Sequence, residues 1–385
     1  MPAAMTAGRR RVAYVLVLCG VTLAAAEGLL RAFYPAPTRY YVWPPNLRID
    51  FAPTEAATPG VAGRGRFRTN SLGLRSDEPF ADARRVVYVF GGSTAADLYL
   101  DQEEAWVHLV QEGLNRMPGQ PRTWVGNLAR PSLASVHNLI HFDHLLPELP
   151  RADLFVDLVG VNDLQLALKS SYLDAPTPET ELAAAFALRP PEDGLARRLA
   201  TVRAARFAWR TWRQARLGLV QTRTADGYAR LRQCRQTAPA ANLVDALPDL
   251  APALAEYRRN LLALAERARA YGAPVLFLSQ PTIWARQMGP AERARLLAGG
   301  LGPIRTWCTR QRYFSPGALA DGMRAFNDVL RDVCRTPGMT CRDLAAAVPP
   351  RAEYFYDDMH LSEAGARRVA ELVVAWILEL PPARR

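Results

Sequence analysis

The chain has 385 residues, 49% of them apolar and 22% charged. That excludes a disordered polypeptide or a disulfide-held mini-protein and allows one large domain or two ordinary ones. Basic residues outnumber acidic ones 48 to 37, a formal charge of +11, and Lys169 is the single lysine. Such a balance suits a nucleic-acid binder or a protein touching an anionic membrane, and only the placement of the charge separates the two.

Arg9, Arg10 and Arg11 precede an apolar run from Val12 to Ala26, and hydrophobic character resumes after Glu27 through Leu30. Counted through Leu30 the segment makes roughly 28 Å of helix, close to a bilayer core. Arginines before it predict a cytoplasmic N-terminus and an exported remainder. Two fates stay open: an uncleaved anchor over residues 1–31, or a signal peptide cut at the small residues Ala24-Ala25-Ala26. Leu18 before Cys19 argues against lipoprotein processing. Four cysteines follow, at 234, 308, 334 and 341. An even number in an oxidising compartment permits two bridges. The turn-rich loop between Cys334 and Cys341 favours pairing those two, which leaves Cys234 with Cys308.

Residues 32–65 are proline-rich and read as a tether. From residue 66 to 380 strands and helices alternate. Val86–Phe90, Thr123–Gly126, Leu154–Gly160, Pro274–Ser279 and a segment near Met339–Leu344 are short apolar β-rich runs. Helical patterns at about 103–116, 135–149, 254–271, 319–333 and 362–378 separate them. Continuous apolar strands between helices predict a three-layer α/β/α sandwich around a parallel five-stranded sheet, of the flavodoxin-like kind. A helical, arginine-rich insertion over about 170–250 interrupts it.

Reactive groups of open parallel sheets collect outside the carboxyl ends of the strands. Three segments fall there or just before the last helix. Gly91-Gly92-Ser93-Thr94 follows the first strand; its glycines permit a sharp turn from which Ser93 can project. Gly160-Val161-Asn162-Asp163 follows the third, where the Asn162 amide can donate to a developing oxyanion. Asp357-Asp358-Met359-His360 precedes the final helix, where one tight turn lets Asp357 orient the imidazole of His360. A serine, a base and an orienting carboxylate together are the requirements of nucleophilic acyl transfer.

This combination resembles the SGNH (GDSL-type) hydrolase superfamily over roughly residues 66–380, with GGST, GVND and DDMH as its blocks. Asn70-Ser71-Leu72-Gly73-Leu74-Arg75 and Ala26-Glu27-Gly28-Leu29-Leu30-Arg31 look like membrane-tethered bacterial members. The resemblance implies Ser93, Asp357 and His360 as catalytic residues, with Gly92 and Gly160 supporting. It implies an oxyanion hole formed by Ser93, Ser132 and Asn162, and neither cofactor nor metal. Ser132 stands where the superfamily carries glycine. Its backbone N–H can still donate, while its Cβ narrows the site and restricts the backbone. The rival α/β-hydrolase fold needs G-x-S-x-G, and Ala95 occupies the last position.

His137, His141 and His144 lie on one face of the second helix, but no HExxH-type motif completes a metal site, and the set reads as a polar face. Residues 189–235 carry twelve arginines against three acidic residues, +9 of the total charge. With Trp209 and Trp212 interspersed, they read as an amphipathic helix that lies on an anionic bilayer, binds an acidic glycan or packs as a solvated cover. Export argues against nucleic acid. A second irregular stretch, about 282–317, contains Trp284, Met288, Trp307, Tyr313 and Phe314 and suits a lid or acceptor wall. The expected protein is a membrane-anchored extracytoplasmic serine esterase acting on acyl esters of envelope carbohydrate or lipid. An O-acyltransferase using the same serine and a non-catalytic binding or assembly protein of this fold are the alternatives.

Overall fold

The computed structural model describes residues 7–33, 39–168, 178–187, 189, 198–216, 225–301 and 311–381. Along the chain its elements are α1 (Ala7–Phe33), β1 (Arg48–Phe51), β2 (Gly65–Arg68), β3 (Arg85–Gly91), α2 (Ser93–Ala96), α3 (Trp106–Arg116) and β4 (Thr123–Asn127). There follow α4 (Ser135–His144), β5 (Leu154–Leu158), α5 (Val161–Leu168), α6 (Pro178–Ala185), α7 (Ala200–Arg216), α8 (Ala225–Gln236), β6 (Leu243–Val244) and α9 (Ala251–Tyr271). The last are β7 (Val275–Leu278), β8 (Gly300–Leu301), β9 (Arg312–Phe314), α10 (Pro316–Val333), β10 (Thr340–Arg342) and α11 (Glu363–Glu379). Two units emerge, one from residues 1–40 and 188–221, the other from 41–187 and 222–385.

The larger unit is built on five parallel strands in the order β4-β3-β5-β7-β10. Every residue of β4, β5 and β7 is buried, which is why their sequences are continuous rather than alternating. Helices α3 and α11 pack together as one layer, and α4, α9 and α10 as another. Local chemistry sets their ends. Ser315 caps α10 by accepting from the Ala318 N–H at 3.1 Å, with Pro316 at the first position. Ser362 caps α11 in the same way through Gly365. Helix α4 stops at His144, short of the expected 149, because Pro147 has no N–H to continue it. The crossovers from β3 diverge, so the gap between β3 and β5 is the switch point where α/β sheets place their ligands.

Residues 41–68 are folded. Strands β1 and β2 form an antiparallel hairpin, and Val42, Ala57, Val61 and Phe67 are buried. Apolar side chains spaced among the prolines supply an anchorage that prolines alone do not reveal. The insertion is divided too: α8 and β6 belong to the larger unit, with β6-β9-β8 as a small second sheet. Cys334 and Cys341 are joined, Cα atoms 6.0 Å apart. Cys234 is buried and disulfide-bonded, and Cys308 lies outside the described residues.

In the smaller unit, α1 is a 27-residue helix whose apolar side chains stand exposed, and it is the one described helix long and apolar enough to cross a membrane. It packs against α7. The Glu27 carboxylate accepts from the N–H groups of Ala200 and Thr201 at 2.8 and 2.9 Å, satisfying the otherwise unpaired donors of the first turn of α7.

Candidate active site

Ser93 opens α2 directly after β3, half-buried at the head of the switch point. A Cβ on Gly92 would lie 2.2 Å from the Asn162 Nδ2, so only glycine lets the amide reach the serine turn. Gly160, at φ +125°, takes a backbone conformation that L side chains rarely adopt. It sends the chain into α5 with Asn162 in the first turn. Asn162 donates one Nδ2 hydrogen to the Leu133 carbonyl at 2.8 Å, which fixes the amide and leaves the second hydrogen for the cleft. Asp163 accepts from the Ser135 N–H at 3.1 Å, so the same block also holds the start of α4. Between these clamps lies Ser132 at φ +69°, in the left-handed region. Ser132 is exposed and keeps this left-handed conformation despite its Cβ.

Asp357 and His360 lie within one closed turn. Phe355 bridges Leu361, and the Tyr356 N–H donates to the His360 carbonyl at 3.0 Å. Inside it, His360 Nδ1 is 2.7 Å from Asp357 Oδ2, while the N–H groups of Met359 and His360 donate to Oδ1 at 3.0 and 2.8 Å. Burial disfavours charge on both groups, but each stabilises the other's charge. The Asp357 pKa therefore ends below the ordinary carboxylate value and that of His360 above the ordinary imidazole value. The Tyr356 ring lies parallel to the imidazole, centroids 5.5 Å apart, and holds its plane.

A single cleft of about 740 Å³ is lined by Ser93, Ser132, Asn162, Asp357 and His360. The structure thus brings together all five candidate residues from four separate segments. Further lining comes from elements outside the motifs: Tyr228 and Leu231 of α8, Leu297 and Ala298, and Tyr313 and Phe314.

The GDSL-like Lipase/Acylhydrolase family model matches residues 89–368, a span that contains every one of these groups. The chain belongs to this family. It is a serine hydrolase of ester bonds. Among solved structures it is similar to LAE5, an alpha/beta hydrolase enzyme from the metagenome of Lake Arreo, Spain, at 14% identity over 76% of this chain and 95% of that one, TM-score 0.41. It is also similar to the acetylxylan esterase Axe2 from Geobacillus stearothermophilus, at 12% identity over 78% and 97%, TM-score 0.41. A lipase/acylhydrolase from Enterococcus faecalis gives 16% identity over 78% and 100%, TM-score 0.40. No curated protein matches the chain.

Sequence reasoning missed how this GDSL-like hydrolase braces its site. Arg232 of α8, 7% exposed, donates to the carbonyls of Ala56, Ala57 and Tyr356, the last at 2.8 Å and directly before Asp357. Burial lowers its pKa, and the charges of Asp357 and Asp358 oppose that. Arg235 donates to the Phe314 carbonyl at 2.7 Å and stacks over Tyr313. Two arginines of the charged insertion are therefore internal braces, not part of a solvated face. Net charge could not reveal this; the pairing of Arg232 and Arg235 with Tyr228 and Leu231 on a short helix was the available signal. Arg75, also buried, donates to the carbonyls of Ala96, Asp97 and Leu100 and closes the end of the Ser93 turn. Burial pushes Asp97, beside it, up to about 7, against the charge of Arg75, the Trp106 N–H and the charge of His360.

The histidine face of α4 is not a polar surface as expected. His137 and His141 are buried; His137 pairs with Glu181, and His141 Nε2 lies 2.9 Å from the Ala185 carbonyl. Burial lowers the His141 pKa to about 3. The seating of α6 on this face removes His137 and His141 from solvent, while His144 stays exposed. Of the irregular stretch after β7, Tyr313 and Phe314 reach the cleft, and Trp307 lies outside the described residues.

Proposed function

We propose that this hydrolase is a membrane-anchored, extracytoplasmic serine esterase acting on acyl esters of the cell envelope, carbohydrate or lipid, with Ser93 as nucleophile. The observation that carries the reading is the one cleft lined by Ser93, Asn162 and a His360 already bonded through Nδ1 to a buried Asp357. In this mechanism His360 Nε2 takes the Ser93 hydroxyl proton as Oγ attacks the ester carbonyl, and Asp357 stabilises the imidazolium that forms. The tetrahedral oxyanion accepts from the N–H groups of Ser93 and Ser132 and from the second Nδ2 hydrogen of Asn162. Collapse expels the alcohol with the proton from His360. Water, deprotonated by the same imidazole, then releases the acid.

Arg9 to Arg11 in the first turns of α1, ahead of its apolar run, and the bridge between Cys334 and Cys341 both support an oxidising, extracytoplasmic location. The test is fluorophosphonate labelling and ester hydrolysis by wild type and Ser93→Ala. Labelling and turnover are expected in wild type alone, and equal signals from both proteins would sink the assignment. Product analysis with a glycan acceptor present should show free acid; transfer in excess of hydrolysis would reassign the chain to acyl transfer.

A further inference from the structure

Asp358 adjoins Asp357 but turns away from the imidazole. It is fully buried, and its side chain accepts three hydrogen bonds, all from outside its own turn. Trp284 Nε1–H donates to Oδ1 at 2.8 Å, and the N–H groups of Leu297 and Ala298 donate to Oδ2 at 2.7 and 2.8 Å. Its carbonyl also accepts from the Ile283 N–H at 3.0 Å. One residue therefore ties the segment after β7 and the Leu297–Ala298 wall to the turn that carries His360. That wall continues through Gly299, whose carbonyl accepts from the Phe314 N–H at 2.9 Å.

The two wall residues so held, Leu297 and Ala298, are apolar. Leu98, Leu231, Leu297, Ala298, Tyr313 and Phe314 line the cleft. Its two glutamines use their amide nitrogens inside the protein: Gln311 on the Leu301 carbonyl at 2.8 Å and Gln165 on the Met359 sulfur at 3.1 Å. An acetyl group would fill a small part of 740 Å³ and leave the wall wet. A hydrocarbon chain would cover it, at roughly fourfold in affinity for each methylene buried.

We infer that Asp358 is a positioning residue which holds the Leu297–Ala298 wall in register with the reacting centre, and that the wall selects medium-length acyl chains over acetyl. The inference rests on the esterase reading above. Asparagine is isosteric but can present its oxygen to one side only. Its NH2 must then face either the Leu297 and Ala298 donors or the Trp284 N–H.

The measurement is kcat and KM for p-nitrophenyl acetate and octanoate, which share a leaving group and differ only in the acyl chain. Wild type is expected to favour octanoate at least tenfold in kcat/KM. Asp358→Asn is expected to lower that ratio tenfold or more, mainly through the octanoate KM. Combining it with Trp284→Phe removes the donor the NH2 would oppose and should restore part of the ratio. Wild-type preference for acetate, or a loss in Asp358→Asn that is equal for both esters, would overturn the inference. If Asp358→Asn does not fold, Ala298→Trp fills the same wall and must lower the ratio; an unchanged ratio overturns it equally. Fluorophosphonate labelling of Ser93 is run on each protein. Absent labelling with no turnover of either ester would defeat the esterase reading, whereas labelling with acetate preference would defeat only this inference.

Discussion

Arg232→Met tests whether the charged insertion belongs to the site. Methionine keeps much of the stem's packing and removes the guanidinium. Three carbonyls lose their donor. Ala56 is exposed and its carbonyl can be rehydrated, whereas Ala57 and Tyr356 are buried. Leaving a buried acceptor unpaired costs about 1–3 kcal/mol, so the two together destabilise by about 4 kcal/mol. The Tyr356 carbonyl directly precedes Asp357, and a displacement of about 1 Å at a reacting group lowers the rate by about a hundredfold. Urea unfolding of the full chain in detergent, followed with kcat on a chromogenic ester, reads both effects. Arg232→Lys, whose ammonium is a compact charge without the planar fork, should recover part of each. A Met variant within about 1 kcal/mol of wild type and with unchanged kcat would refute the bracing role.

Other expectations follow from the same geometry. Asp357 holds the His360 pKa up, and His360 must be neutral to accept the serine proton, so wild-type kcat/KM should rise with pH through that elevated pKa. Asp357→Asn should move this acid limb to lower pH and cut the plateau by about 10⁴-fold; a limb that stays in place would contradict the assignment. Ser132→Gly relieves about 1–2 kcal/mol of left-handed strain and loses about half of that gain to glycine's freedom in the unfolded chain. It should unfold slightly later in urea and keep its kcat, because glycine retains the backbone N–H that donates to the oxyanion. A Ser132→Gly variant that unfolds earlier than wild type or loses tenfold in kcat would contradict this. Replacing Cys334 and Cys341 with serine opens a short loop beside an edge strand, so urea unfolding should show a loss of about 2 kcal/mol with kcat nearly intact.

The strands and the candidate-site motifs were legible for local reasons. Val86–Phe90 is apolar throughout, and Leu154–Leu158 is apolar except at Asp157, because both faces of the sheet are covered. Asp357 and His360 meet inside a single turn, so three residues of spacing were enough to pair them. The glycines at 92 and 160 answer to constraints that a side chain would violate on the spot. Ser132 was legible as a departure from glycine, but its left-handed backbone was not.

What the sequence by itself determined is the order of the sheet elements, the exposed apolar helix at the N-terminus and the three blocks that converge on the cleft. Their signals are periodicity, capping and turn chemistry, all of which act over a few residues. Tertiary structure alone decided which charges are buried. Arg232 and Arg235 are the same residue type as their ten companions in the insertion, and only the carbonyls of residues 56, 57, 314 and 356 distinguish them. Asp357 and Asp358 are likewise identical neighbours, one turned to the imidazole and the other to the cleft wall. A charged side chain takes its role from the partners that meet it after folding, and those partners lie up to hundreds of residues away.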